Sequence, residues 1–592
     1  MTHPLTNPVH SFHIPVMGTG FTIDTPLKVA RYGISSVVSL VDDVLIEQMR
    51  RKIAAVAGRA CEPIEDADDD ARARRITAYL DLMHDLVHDQ VEKLRAAAFT
   101  AGSEISRYYE MLPESPLRSL YETMQQVADP AERARLQDEL RARIAPGGID
   151  VNIMTKLDRV RLRGGKAVGP LFSDALSALR GYANSRVSSS IVLSAGLNRR
   201  LFGYLREFGD FLPDEAGELR KRIILKVGDF RSALIQGKLL ARDGLWVSEY
   251  RIESGLNCGG HAFGGAGALL GPVLEEFARE RDNLASQLTE LWRAGLERLG
   301  RPVPATAPAM RVTVQGGIGT AEERNLLIRK YGVDGTGWGS PFLTVPEVVN
   351  IDAEHLAKIL AAGEDDVHLS ESSPLGVPFW CLKNSASEIE RRRRIALGKP
   401  GSACPKGFLV SNTQFTKAPI CTASRAFQRR ALEQLADLGL NDEQHRARTD
   451  AITVKACICH DLAGSATVPH GIDPTALTAV CCGPNAVYYQ RATGLQEMVD
   501  HIYGRGRVPM DGSRPHMFLK ELSLHIDRLR RELERRHQGL AADDSKPALI
   551  CANLAAGIAH YRELAGQLLQ EQRAEFAARL ELLQADLEGV RV

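Results

Sequence analysis

The chain has no excess of charge of either sign: 74 Lys and Arg balance 74 Asp and Glu across 592 residues. A zero net charge argues against nucleic acid or an anionic membrane surface as the main partner. No stretch approaches the roughly 20 apolar residues that a membrane span needs. The opening Met1-Thr2-His3-Pro4-Leu5 has neither a basic n-region nor an apolar h-region. These absences lead to the expectation of a cytoplasmic protein with no nucleic-acid or membrane partner. No Gly-x-Gly-x-x-Gly fingerprint follows the first predicted strand, which ends in Met17-Gly18-Thr19-Gly20, so a doubly wound dinucleotide-binding sheet is disfavoured. No internal repeat or low-complexity tract is present. What is there, 44% apolar and 25% charged residues, is an ordinary globular composition, and the length suits two to four domains.

Short apolar segments alternate with helical patterns. Strands are predicted over 12–17, 35–40, 149–154, 189–194, 223–227, 245–249, 312–315 and 333–338. Eight strands with helical crossovers predict the α/β class and a closed (β/α)8 TIM barrel, built from residues 10–42 and 146–390. A helical insertion is expected over 43–145. Beyond the barrel, a cysteine-bearing segment is expected over 395–510 and helices over 511–592, with long runs at 517–536 and 546–587. Amphipathic terminal helices pack on the body or on a second copy, so a homo-oligomer is expected.

Two glycine turns stand out. Gly316-Gly317-Ile318-Gly319 closes the seventh strand, and Gly337-Trp338-Gly339-Ser340 the eighth. Adjacent strand-to-helix turns of bare backbone amides, one crossover apart, make a phosphate clamp in barrels of this kind. The sixth strand runs into Glu253-Ser254-Gly255-Leu256-Asn257-Cys258-Gly259-Gly260-His261, which brings an imidazole to the mouth beside glycines that let a planar group approach. The fifth strand aims Lys226 at the same mouth, where a cation stabilises an anionic ring. The third offers the amide of Asn152.

In that order the motifs resemble the superfamily of nitronate monooxygenases and FMN-dependent enoyl reductases, including the trans-acting enoyl reductases of polyketide and polyunsaturated fatty acid synthesis. The matching elements are Val151-Asn152, Gly259-Gly260-His261, Gly316-Gly317-Ile318, Gly339-Ser340-Pro341-Phe342 and the run from Ile359 to Asp366. The resemblance covers residues 10–390 without the insertion. It implies FMN as cofactor, its phosphate on Gly316, Gly317, Gly339 and Ser340. Met17, Gly18, Asn152 and Lys226 would border the isoalloxazine, with Gly259 and Gly260 beside it. His261 would be the catalytic acid or base, and Lys226 would stabilise the reduced ring. The sequence departs from that pattern where 256–258 lengthen the loop before Gly-Gly-His, and in its cysteine-bearing segment. A looser similarity, architectural only, is to the FMN domain of glutamate synthases, where a barrel flavin neighbours an iron–sulfur cluster.

Six of the ten cysteines crowd the region after the barrel. Cys404, Cys421, Cys457, Cys459 and Cys481 are candidate ligands for a [4Fe-4S] or [3Fe-4S] cluster. Zinc with His460 as a further ligand, redox-active thiols and buried free cysteines are the alternatives. Cys-x2-Cys spacing is absent.

The expected function is an FMN-dependent oxidoreductase of the nitronate monooxygenase or enoyl-reductase type. It would act on a small organic or acyl substrate, with a cluster or an electron-donor protein feeding the flavin. The alternatives are a non-redox barrel enzyme for a phosphorylated metabolite and a non-catalytic assembly protein.

Overall fold

Parallel strands and their crossovers dominate the computed structural model of the chain, which describes residues 8–163, 166–194, 196–258, 267–538, 546–568 and 570–590. The barrel strands are β1 (Phe12–Ile14), β2 (Ser35–Ser39), β3 (Ile149–Ile153), β4 (Ser190–Leu193), β5 (Arg222–Val227), β6 (Val247–Glu253), β7 (Arg311–Gln315) and β8 (Gly335–Gly337). They close in the order 1-8-7-6-5-4-3-2, each pair parallel. This is the expected (β/α)8 barrel.

Strand side chains alternate between two environments. Ile223, Leu225 and Val227 of β5, Tyr250 and Ile252 of β6, and Val312 and Val314 of β7 belong to the large core shared with the surrounding helices. The other set turns into the barrel. There Val37, Val192 and Ile224 pack with Val16 as a small separate apolar layer. Toward the strands' N-terminal ends the interior is charged. Arg251 pairs with Glu249 at 2.7 Å, Arg311 with Glu249 at 3.3 Å, and Thr313 Oγ1 donates to the same carboxylate at 2.6 Å. These groups line a cavity of about 690 Å³ that also receives His13, Asp150 and Arg222. It lies at the end opposite to the one where such barrels carry out chemistry.

Between β2 and β3 stand the helices Asp43–Val56, Ala71–Ala96, Glu104–Met111, Pro116–Gln126 and Pro130–Arg143. Asp43 ties the first two of these helices together: its carboxylate takes Arg72 at 2.5 Å and Arg75 at 3.0 Å, with all three side chains under 10% exposed. Arg72 carries the link on to the barrel, donating to Leu40 O at 2.9 Å and Asp174 O at 3.0 Å. After β8 comes a hairpin of β9 (Val367–Ser370) and β10 (Phe379–Leu382). The segment that follows lies over the C-terminal mouth. Gly20 N donates to Leu462 O at 3.2 Å, Arg159 Nη1 to Gly407 O at 3.0 Å, and Lys406 pairs with Asp42. The helices Met517–His537, Pro547–Ala565 and Gln570–Glu588 complete the chain. Among the described residues, no helix is long and apolar enough to cross a membrane.

Several boundaries differ from expectation for local reasons. β1 ends at Ile14 because Pro15 has no N–H to give the ladder. The sixth strand starts at Val247 rather than 245, since Leu245 N still closes the preceding helix on Leu240 O, and it continues to Glu253. The run expected as one helix over 546–587 is two helices, the first ending at Ala565 before Gly566.

Asp43→Ala removes a carboxylate shared by two buried guanidinium groups, leaving Arg72 to backbone carbonyls and Arg75 to Asp66, so we expect a loss of about 3 kcal/mol in urea-unfolding stability. Burial opposes ionisation of Glu249, but Arg251, Arg311 and His13 outweigh it and pull its carboxyl down to about 2 from 4.5. Its stabilising contribution is therefore complete above pH 4.5 and is lost as pH falls toward 2. Urea midpoints across that window should drop less in Glu249→Gln than in the parent.

Candidate active site at the barrel mouth

At the strands' C-terminal ends the inward set resumes with Asn152, Lys226, Glu253 and Gln315. One carboxylate oxygen, Glu253 Oε1, receives Lys226 Nζ at 2.7 Å, Asn257 Nδ2 at 2.6 Å and Gln315 Nε2 at 2.8 Å. Gln315 Nε2 also reaches Asn257 Oδ1 at 3.2 Å, and its Oε1 faces His13 Nε2 at 3.3 Å. Burial, reinforced by Arg251, holds the His13 imidazole down to about 3. It is neutral at physiological pH. Burial also lowers the Lys156 ammonium beside this group, with Glu253 opposing and Lys226 adding to the shift. Asn152, on β3, is buried, and its Oδ1 has no hydrogen-bond partner among the described residues. A buried acceptor without a donor is costly and marks a place where a ligand or water donates.

The two glycine turns form where expected. Gly316 and Gly317 adopt φ of 103° and 84°, which side chains rarely tolerate. On the side where a Cβ would stand, the chain itself packs closely against them. A Cβ on Gly316 would lie 2.9 Å from Asn257 N, and one on Gly317 would lie 3.0 Å from Leu256 Cβ. The guanidinium of Arg514 lies over Gly319, and Cys258 over Gly339. At the start of the helix Ala321–Tyr331, Glu323 Oε2 accepts the Gly319 amide at 2.8 Å, and Arg514 pairs with Glu323 at 2.8 Å. Arg514 Nη2 also donates to Gly317 O at 2.8 Å, and Asn485 Nδ2 donates to the same oxygen. The anion position at this helix N-terminus is thus held by a carboxylate of the chain.

No family model and no curated protein matches this sequence. Among solved structures, the chain is similar to the enoyl reductase domain of MlnA from the macrolactin biosynthesis cluster of Bacillus amyloliquefaciens, with 14% identity, 71% of this chain and 94% of that one covered, and a TM-score of 0.34. It is also similar to nitroalkane oxidase from Streptomyces ansochromogenes, with 10% identity, 84% and 96% covered, and a TM-score of 0.35.

The candidate residues fall into distinct places. Lys226 and Asn152 are both on the floor of the mouth. Met17 and Gly18 form its β1 wall: Met17 Sδ lies 3.7 Å from where a Gly339 Cβ would sit, and Gly18 is against Leu462. Ser340 is buried, with Gly483 and Cys258 against it. Gly259, Gly260 and His261 lie outside the described residues. The segment's flanks are described: Glu521 accepts from Gly255 N at 3.2 Å and Leu270 N at 2.8 Å.

Of the cysteines named as cluster ligands, Cys404, Cys421, Cys459 and Cys481 share one apolar cluster. Cys404 and Cys421 are neighbours, with Cys457 and Cys459 beside them. The Cys481 carbonyl accepts the Cys258 thiol at 3.0 Å, next to Cys482. Among the described residues, no group of three or more His, Cys, Asp or Glu side chains is arranged to hold a metal ion. His460 is engaged by Asp461 and Asp473. The Cys404 thiol is drawn down to about 6 by its Cys421 neighbour, against burial, with help from the Gly407 amide and Arg159.

The mouth therefore suits the ring end of a flavin: Asn152 Oδ1 and the Lys226 ammonium match the polar edge of an isoalloxazine. At the phosphate end the Gly319 amide is taken by Glu323, and residues 256–258 pack on the Cα faces of the glycines. Glu253, Asn257, Gln315, Glu323 and Arg514 were not singled out from sequence as members of the site. Strand alternation was a usable signal for Glu253 and Gln315, the last inward positions of β6 and β7. Arg514, nearly 200 residues from its partner Gly317, carried none.

Lys226→Met removes the ammonium bonded to the Glu253 carboxylate, leaving it two amides and the Lys156 charge nearby, and is expected to cost about 3 kcal/mol. The double variant Lys226→Met/Glu253→Gln should recover most of that loss in the same urea titration, because no charge is then left unpaired.

Proposed function

We propose that the chain is an oxidoreductase that binds a flavin ring at the C-terminal mouth of its barrel and acts there on a small organic or acyl substrate. The observation that carries this reading is the buried, unpartnered Oδ1 of Asn152 facing the same mouth as the Lys226–Glu253 pair. When bound, the flavin supplies electron-pair transfer. The chain's own residues supply position and charge. Asn152 Oδ1 would accept a hydrogen bond from the ring. Lys226, held by Glu253, would offer it a positive charge. Gln315 and Asn257 fix the Glu253 carboxylate, so that Nζ stays aimed into the mouth. His261 is assigned the proton transfer to substrate.

Glu323 occupies the Gly319 amide of the β7 turn, so affinity in this reading comes chiefly from the ring. The alternative of a phosphorylated metabolite gains no support from that turn for the same reason. The cysteines enter as thiols, and cluster-fed electron transfer is not part of the proposal, since no metal-ligating group is assembled among the described residues.

The test is an absorption spectrum of the purified protein followed by titration with riboflavin and FMN. Flavin bands near roughly 370 and 450 nm are expected, with the two ligands binding within about threefold of each other. Asn152→Leu should weaken both by about tenfold. A protein that is colourless and takes up neither flavin overturns the proposal. FMN binding far tighter than riboflavin would show instead that the glycine turns open to phosphate.

A further inference from the structure

At the N-terminal end of the barrel, opposite the mouth, lies the cavity of about 690 Å³. This face of such barrels serves stability, and side chains placed for stability alone would fill the space. Here the space stays open and its inner end is charged. Ile224, a member of the apolar layer, lines the floor and so parts the cavity from the mouth. The neighbouring strands β5, β6 and β7 deliver Arg222, Arg251 and Arg311 to it, while β3 and β6 deliver Asp150 and Glu249. Among the described residues of the inner end, three guanidinium groups thus face two carboxylates.

Glu249 is already shared: Arg251 Nε donates to it at 2.8 Å, Arg311 Nη1 at 3.3 Å and Thr313 Oγ1 at 2.6 Å. Asp150 Oδ1 accepts Ser190 N at 2.8 Å, and burial pushes its carboxyl up. Positive charge is therefore in excess, and away from water such an excess is costly without an anion. A guanidinium carries five N–H donors, yet the bonds of Arg251 to the described residues use only Nε and Nη2, both on Glu249. On the cavity wall Ser248 Oγ is buried and has no hydrogen-bond partner among the described residues. Pro304, Ala307 and Pro308 add an apolar stretch to the rim. The rim's own carboxylates, Asp214, Glu215 and Glu218, are exposed to water, which screens them, and Asp214 caps the amides of Ala216 and Glu218 at 2.9 Å.

We propose that this cavity binds a small organic hydroxycarboxylate, with its carboxylate on the guanidinium groups of Arg222, Arg251 and Arg311, its hydroxyl on Ser248 Oγ and its carbon chain against the proline rim. A planar guanidinium matches a carboxylate through two parallel hydrogen bonds, and Arg251 with Arg311 already holds Glu249 in this way of binding. The volume is that of a small-molecule site and far exceeds what a lone inorganic anion needs. Asn152, Lys226 and Glu253 do not line this cavity, so the site stands or falls independently of the flavin.

The full chain would be titrated in a calorimeter with succinate, L-malate, neutral succinamide and inorganic phosphate. One succinate per chain is expected to bind with a Kd below about 1 mM, malate at least about threefold tighter, and succinamide not at all. In the unmodified chain, which needs no variant to fold, malate should raise the Tm in step with its concentration. Arg222→Gln and Arg311→Lys should each weaken both carboxylates by about tenfold or more, and Ser248→Ala should abolish the preference for malate while leaving succinate unchanged. No heat and no Tm shift with either carboxylate overturns the proposal. So does phosphate binding tighter than both, or carboxylate binding that Arg311→Lys leaves undiminished, which would place the anion elsewhere on the chain.

Discussion

The upper end of the barrel is organised by the carboxylate of Glu253. Its Oε1 gathers an ammonium from β5, an amide from the loop after β6 and an amide from β7. A barrel interior is expected to fill with branched apolar side chains, and here only Val37, Val192 and Ile224 with Val16 do so. Polar groups above and below that layer must satisfy one another, because water access is limited and an unpaired charge there is costly. Below, Glu249 balances Arg251 and Arg311. Above, Glu253 balances Lys226. Asn152 Oδ1 remains outside these pairings, which is why the mouth reads as a binding site rather than a packed plug.

The segment after the barrel changes the meaning of the mouth. Seen along the chain, Gly316-Gly317 and Gly339-Ser340 are bare backbone ready for a phosphate. In three dimensions their smallness admits other parts of the chain: Asn257 and Leu256 on the first turn, Cys258 on the second. Glu323 and Arg514 complete the substitution, since a carboxylate on the Gly319 amide does electrostatically what a phosphate oxygen would do there. The same covering segment gathers Cys404, Cys421, Cys459 and Cys481 into one apolar cluster. Beside Cys481, burial and the neighbouring cysteines push the thiols of Cys258 and Cys482 up.

Much of the barrel was legible in the chain. Strand pattern and turn glycines located all eight strands, and errors were confined to ends set by single residues such as Pro15 or by a helix closing late at Leu245. Lys226 and Asn152 were legible as mouth residues because a parallel strand's last inward position always points there. Glu253 and Gln315 obey the same rule, but a polar residue at a strand end is also what a solvated strand end carries, so residue type alone did not mark them. Glu521 was out of reach: nothing in an amphipathic helix announces that one of its carboxylates will hold the backbone at both Gly255 and Leu270.

The sequence by itself determined the class of fold, the positions of the turns and which side chains the strands deliver to one end, because each depends on local periodicity and on glycine's backbone freedom. Tertiary structure alone decided whether those turns are open, which thiols touch and which charges are paired. Those outcomes depend on contacts between residues such as Asn485 and Gly317, or Arg514 and Glu323. Such pairs are separated by more than 160 positions, a distance over which no periodic pattern carries information.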